Sequence, residues 1–147
     1  APCTAEATLA MLKHNRIPIK GARTAVIGRS LVIGKPVAMM LLAEHATVTI
    51  CHTRTVDLAA VTRESDLIIA CAGKAEMVRA DMVAPGQTVI DIGMNEKEDG
   101  KFVGDVAFEE VEPIVANITP VPRGVGSVTT TILMQHVVEA AERSLEA

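Results

Sequence analysis

Two rhythms of apolar and polar positions alternate along this chain. Short, nearly unbroken apolar runs read as strands at Thr24 to Gly28, Thr47 to Cys51, Asp66 to Cys71, Thr88 to Gly93 and Asn117 to Val121. Between them the apolar residues spread to helical spacing. A helix is predicted from an N-cap at Thr4 through about Asn15, with Leu9, Met11 and Leu12 on or near one face. Further helices are predicted over Pro36 to His45, Asp57 to Glu64, weakly over 76–84, around Phe108 to Val111, and over 128–145. Gly21 and the pair Pro85-Gly86 break these patterns, and Asn95 to Gly104, centred on Asp99-Gly100, has the form of a hairpin loop.

Strands that are apolar on both faces, alternating with helices, indicate βαβ units whose sheet is covered on both sides. The expected fold is therefore a doubly wound, mostly parallel α/β domain of the Rossmann-like, dinucleotide-binding type. Its 147 residues suit one domain over 1–147, and 49% hydrophobic content suits a buried sheet. The chain shows no internal repeat, linker or low-complexity tract.

Composition narrows the partners. The net charge is −4 with both signs interspersed, so no basic cluster is available to neutralise a run of phosphates, and nucleic acid is not an expected partner. Phe102 and Phe108 are the only aromatic residues, which leaves almost nothing for base stacking. Cys3, Cys51 and Cys71 are far apart and form no CxxC pair. They read as reduced, part-buried thiols, with no metal site. No segment reaches the ~18 unbroken apolar residues of a membrane span, and the start lacks a basic leader. A cytoplasmic protein with no membrane partner is the expectation.

In such sheets the first strand-to-helix turn is the usual phosphate site, because a helix N-terminus offers free N–H groups and a partial positive charge. The segment VIGRSLVIGKP, residues 26–36, occupies that turn, with Gly28, Arg29, Ser30 and Gly34 as candidate ligands. Its spacing is not GxGxxG, since serine stands at the second glycine's place. It is not a Walker loop either, since Pro36 follows Lys35. A domain that binds NAD through the ribose hydroxyls normally carries an acid about 20 residues further on. Here the second strand ends in Cys51-His52-Thr53-Arg54-Thr55, with no acid before Asp57. Cations and hydroxyls suit a 2′-phosphate better than a carboxylate does, so NADP is the expected cofactor, with Arg29 and Arg54 both able to face it.

In order along the chain, PCT, GRSLVIGKP, TVTICHTRT, ACAGKAEMV, VIDIGMN, GDV and ITPVPRGVGSVT resemble the successive motifs of the bifunctional methylenetetrahydrofolate dehydrogenase/cyclohydrolase family. The likeness runs over essentially the whole chain, yet it covers only that family's cofactor domain, with the preceding half absent. It implies oxidation of 5,10-methylenetetrahydrofolate with NADP+, then hydrolysis of the methenyl product to 10-formyltetrahydrofolate. By resemblance Gly28, Arg29 and Ser30 hold the phosphates and adenosine ribose, Thr53 lies beside the 2′-phosphate, and Met94 supports the nicotinamide through its backbone. Thr129 is expected near the cofactor, and Pro122, Gly124 and Gly126 border the cleft for the tetrahydrofolate substrate. The family's proton-transfer lysine and tyrosine belong to the absent half, so no catalytic residue is assigned here. The family also associates in pairs, and Phe102-Val103 is the candidate edge for a homodimer. The final helix is expected to pack toward the absent half, leaving a stripe through Ile132, Leu133 and Val137 partly uncovered. The sequence departs from the family at Ala5, Arg123, Ser127 and Val128, where Pro, Gly, Pro and Met are common, and Ser127 is expected instead to cap the final helix.

Other residues read as structural. His14, His45 and His136 lack metal spacing, His52 is a lone strand-end histidine, Asp91 and Asp105 are single carboxylates, and Met39-Met40 reads as core filling. Two rivals remain open on the residues alone: another NADP-dependent Rossmann enzyme acting on a hydroxy or amino acid, and a non-enzymatic dinucleotide sensor.

Overall fold

The computed structural model describes residues 2–146. Five strands form one sheet in which every neighbouring pair is parallel: β1 (Arg23–Ile27), β2 (Thr47–Cys51), β3 (Leu67–Ala70), β4 (Thr88–Asp91) and β7 (Asn117–Ile118), in the order β2-β1-β3-β4-β7. A separate antiparallel hairpin, β5 (Asn95–Glu96) and β6 (Phe102–Val103), sits where the Asp99-Gly100 turn predicts one. The helices are α1 (Cys3–His14), α2 (Gly34–Ala43), α3 (Leu58–Arg63), α4 (Phe108–Val111) and α5 (Val125–Glu146).

The strands' unbroken apolar character follows from burial on both faces. Val26, Leu67, Ile69 and Ile90 point to a layer built from α1, α2 and the start of α5, where Leu9, Leu12, Val37, Leu41 and Val125 meet them. Ile27, Ile68, Ala70 and Val89 point the other way, toward α3, α4 and the segment carrying Val78 and Met82. This is the expected doubly wound fold. β2 lies at the edge of the sheet, which is why its Thr47, Thr49 and Ile50 remain exposed.

Several predicted boundaries move, each for a local reason. Thr4 does not cap α1: Pro2 holds the extended cap position, and Thr4 lies inside the helix, its carbonyl accepting from the Thr8 hydroxyl at 2.9 Å. α2 starts at Gly34 rather than Pro36 and ends before His45, whose φ of 70° is not helical. The weak helix over 76–84 is replaced by a parallel bridge between Val78 and Val106 and one 3-10 turn at Ala80–Met82, since the segment is drawn onto the sheet side of α4. β4 stops at Asp91, whose carboxylate accepts from the Gly93 N–H at 2.9 Å and turns the chain. β7 stops at Ile118. α5 starts at Val125 rather than 128, so Ser127 lies within its first turn, its N–H bonded to the Gly124 carbonyl at 3.2 Å, and it is not a cap. Met40 packs against the core, but Met39 is 61% exposed and fills nothing.

Candidate functional site

The chain leaves β1 toward α2 on one face of the sheet, and it leaves β3 toward Val78 and Met82 on the other. Such a divergence opens a crevice beyond the carboxyl ends of the two strands. Gly28 stands at its mouth. With φ at 129°, a Cβ there would lie 2.3 Å from the Cys71 carbonyl oxygen at the end of β3. A Cβ on Gly34 would lie 2.5 Å from the Gly28 carbonyl, because the loop folds back on itself before α2 begins. Both glycines are therefore required by close backbone approach.

Ser30 shapes the loop between them. Its hydroxyl oxygen accepts from the N–H of Ile33 at 3.0 Å and of Gly34 at 3.3 Å, which leaves the hydroxyl hydrogen free to donate outward. Among the described residues the N–H groups of Arg29, Ser30 and Leu31 find no acceptor. Free N–H groups ahead of a ten-residue helix, beside a spare hydroxyl hydrogen, fit a phosphate oxygen.

The crevice continues as a cleft of about 370 Å³. Arg29, Ser30, Thr53 and Lys74 supply its polar side, Leu58 and Met77 its apolar side, and no carboxylate lines it. The turn after β2 is closed by the His52 N–H donating to the Thr55 hydroxyl at 2.8 Å and the Arg54 N–H donating to His52 Nδ1 at 3.2 Å. That turn brings Thr53 into the lining and leaves the exposed Arg54 outside it, so the structure does not bring together the predicted pair of arginines. The cleft's second cation is Lys74, which sequence reasoning passed over. The signal was present in Gly73-Lys74, a glycine and a base separated from the end of β3 by two residues, as Gly28-Arg29 lie directly beyond β1.

A second cleft, of about 200 Å³, reaches Ile33 at the end of the loop that follows Gly28. Met94, Pro122, Gly124, Gly126 and Thr129 all line it, together with Thr4 from α1. The Thr129 hydroxyl is turned inward, donating to the Val125 carbonyl at 3.0 Å. A Cβ on Gly124 would lie 2.3 Å from the Pro120 carbonyl, and Arg123 carries a φ of 76°, the left-handed region that favours glycine. No lysine, histidine or tyrosine lines this cleft.

Asp91, which lines the smaller cleft, and Asp105, unlinked to it in the sequence, are brought side by side. Asp91 accepts from the N–H groups of Gly93, Asp105 and Val106 at 2.9, 3.0 and 3.0 Å. Asp105, fully buried, accepts from Ala72 and Gly73 at 2.7 and 3.0 Å through Oδ2, and from the Lys74 N–H and Asn95 Nδ2 at 3.1 and 2.9 Å through Oδ1. Burial pushes the Asp91 carboxyl above the usual range even though its hydrogen bonds oppose the shift, and the neighbouring Asp105 charge adds to the rise. Burial, then the same charge, pushes the Cys71 thiol up to about 12. These carboxylates fix loops; Asp105 holds the 72–74 wall of the larger cleft. No group of three or more potential metal ligands occurs among the described residues.

Residues 2–145 match the family model described as the tetrahydrofolate dehydrogenase/cyclohydrolase NAD(P)-binding domain. The protein named bifunctional protein FolD from Carboxydothermus hydrogenoformans is 57% identical over 143 residues, covering 96% of this chain and 50% of that protein. Its namesake from Nocardia farcinica is 55% identical over 142 residues, covering 97% of this chain and again 50% of the relative. The chain thus spans about half the length of the curated relatives it matches. Among solved structures, the Campylobacter jejuni bifunctional enzyme FolD superposes with a TM-score of 0.94 at 45% identity, over 97% of this chain and 51% of that one. The Trypanosoma brucei methylenetetrahydrofolate dehydrogenase-cyclohydrolase, complexed with NADP cofactor and inhibitor, superposes at 0.93 with 39% identity, over 100% of this chain and 52% of that one.

Proposed function

As the chain belongs to the tetrahydrofolate dehydrogenase/cyclohydrolase family, whose NAD(P)-binding domain it spans, we propose that it holds NADP, with the adenosine end in the larger cleft and the nicotinamide end in the smaller. The observation that carries this reading is the turn at Gly28. Two glycines permit the backbone approach there, Ser30 and free N–H groups face outward, and Arg29, Thr53 and Lys74 line a cleft without a carboxylate. The 2′-phosphate falls to Arg29 and Thr53, and Lys74 adds positive charge from the opposite wall.

In the whole protein this domain serves the oxidation of 5,10-methylenetetrahydrofolate and the hydrolysis of the methenyl product to 10-formyltetrahydrofolate. The nicotinamide, when bound, supplies the hydride acceptor. The chain's own residues bind and orient: Met94 and Thr129 border the nicotinamide end, while Pro122, Gly124 and Gly126 form the wall against which the tetrahydrofolate derivative lies. No lysine, histidine or tyrosine lines the smaller cleft, and the carboxylate that does, Asp91, is engaged by the N–H groups of Gly93, Asp105 and Val106, so proton transfer is assigned to residues outside this chain. The helix α5 offers Leu133 and Val137, 54% and 63% exposed, to that remainder, whereas Ile132 packs onto the core with α1. Assembly as a homodimer through the half-exposed Phe102 edge of the hairpin, residence in the cytoplasm, and no nucleic-acid or membrane partner complete the reading. Among the described residues no helix is long and apolar enough to cross a membrane.

Calorimetry with NADP+ and NAD+ tests the cofactor assignment, with chemical-shift mapping to locate it. NADP+ is expected to bind more tightly and to perturb Gly28, Ser30 and Thr53. Arg29→Ala is expected to weaken NADP+ by about 1 kcal/mol, roughly fivefold, because the side chain is exposed. NAD+ should lose less. Equal losses for both nucleotides would remove Arg29 from the 2′-phosphate, and silence at Gly28 would remove the cofactor from this turn. Supplied with methylenetetrahydrofolate and NADP+, a chain of this span should form no NADPH, because hydride transfer needs the substrate carbon held against the nicotinamide by a second wall; turnover above a protein-free control would place the catalytic groups within these residues.

A further inference from the structure

Outside the linings of both nucleotide clefts, α1 and α5 bring together three residues that the functional reading leaves unused. Cys3 Sγ lies 3.5 Å from His136 Nδ1, and His136 Nε2 lies 2.8 Å from Glu6 Oε2. The carboxylate can only accept, so Nε2 carries the hydrogen and Nδ1 is left to accept from the thiol. A nucleophile within reach of a base, with the base oriented by a third group, is the arrangement that activates thiols for attack. Cys3 is also the first residue of α1, where unpaired N–H groups favour developing negative charge on sulfur.

All three side chains are part-exposed, which a reagent needs. The other two thiols differ: Cys51 is fully buried, and Cys71 lies in the turn against Gly28. We propose that Cys3 is a nucleophilic thiol, activated by His136 and oriented through Glu6, and that it forms mixed disulfides with small disulfides. In the reaction His136 Nδ1 takes the thiol proton as Sγ attacks one sulfur of the disulfide. The new S–S bond forms, the old one breaks, and the departing thiolate takes the proton back from the imidazolium, which the Glu6 carboxylate steadies meanwhile. The adduct separates Sγ from Nδ1 and leaves the His136–Glu6 hydrogen bond in place.

The probe is 2-hydroxyethyl disulfide, which is small and uncharged, with the three cysteines followed separately by peptide mass spectrometry. Each thiol's rate in the folded protein is divided by its rate in guanidinium-unfolded protein. A thiol that is merely exposed gives a ratio of about one, and a shielded one gives less. Cys3 is expected to exceed about three, with Cys51 and Cys71 well below one. His136→Gln should bring the Cys3 ratio to one or lower while circular dichroism and the other two ratios stay unchanged. A Cys3 ratio at or below one in the unaltered protein overturns the proposal. So does a folded His136→Gln variant that keeps the high ratio. Should that variant fail to fold, the ratio in the unaltered protein decides alone.

Discussion

Asp105→Asn is the sharpest test of how the larger cleft is held open. The buried carboxylate accepts two N–H bonds on each oxygen, from Ala72 and Gly73 on one side and from Lys74 and Asn95 on the other. An amide of the same shape must turn its NH2 toward one of these pairs, so two bonds to a charged acceptor are lost and donors face donors. Bonds of that kind contribute about 1.5–3 kcal/mol each. Two effects reduce the loss. The Asn95 amide can turn its oxygen toward the new NH2, and removing the charge relieves Asp91 and Cys71, both of which it pushes up. The net expectation is a loss of about 2–4 kcal/mol, which for a chain of this length lowers Tm by roughly 5–10 °C. Thermal melts by circular dichroism measure it. Because the 72–74 turn forms one wall of the cleft, NADP+ should also bind more weakly to the variant at temperatures where it remains folded. A Tm within about 2 °C of the unaltered protein would show that these bonds contribute little, and that the wall is held by packing alone.

Gly28→Ala places a Cβ 2.3 Å from the Cys71 carbonyl at a φ of 129°, and should cost about 2–5 kcal/mol in denaturant titrations along with nucleotide binding. Arg123→Gly relieves a left-handed backbone that costs an L-residue about 1–2 kcal/mol, against about 0.5–1 kcal/mol of added unfolded-state entropy. A gain of about 0.5–1 kcal/mol is expected, and unchanged or lower stability would count against strain at that position. The Cys71 thiol, raised to about 12 in the folded protein against 9.0 for the free group, binds its proton more tightly when folded. Its contribution is therefore intact below pH 9 and declines as pH rises from 9 toward 12. Stability of the unaltered protein should fall more steeply across that window than stability of Cys71→Ala, and parallel curves would exclude it.

Much of the fold was legible in the chain because the deciding signals are local. Strands buried on both faces must be apolar throughout, so the runs ending at Ile27, Ala70 and Asp91 disclosed themselves, the β-branched run ending at Cys51 disclosed the edge strand, and the alternation with helices disclosed the parallel sheet. The Gly28 turn was equally local, since strand, glycine, base and helix follow one another directly. The motifs from PCT to ITPVPRGVGSVT likewise pointed to the family that residues 2–145 match. What depended on distant partners was not legible. Residues 76–84 carry enough helical spacing to suggest a helix, but the bridge of Val78 to Val106 governs them. Arg54 sits one residue from Thr53, and only the hydrogen bonds that close the 52–55 turn decide which of the two enters the cleft. Lys74 becomes a cleft residue because β3 pairs beside β1. Asp91 and Asp105 read as two isolated acids, and His136 as a histidine without a partner, until the sheet and the α1–α5 packing set them against backbone N–H groups, a thiol and a carboxylate. Periodicity and turn chemistry are written within a few residues of where they act. A hydrogen bond across 14 or 130 positions is created by the folded chain itself, and no local pattern announces it.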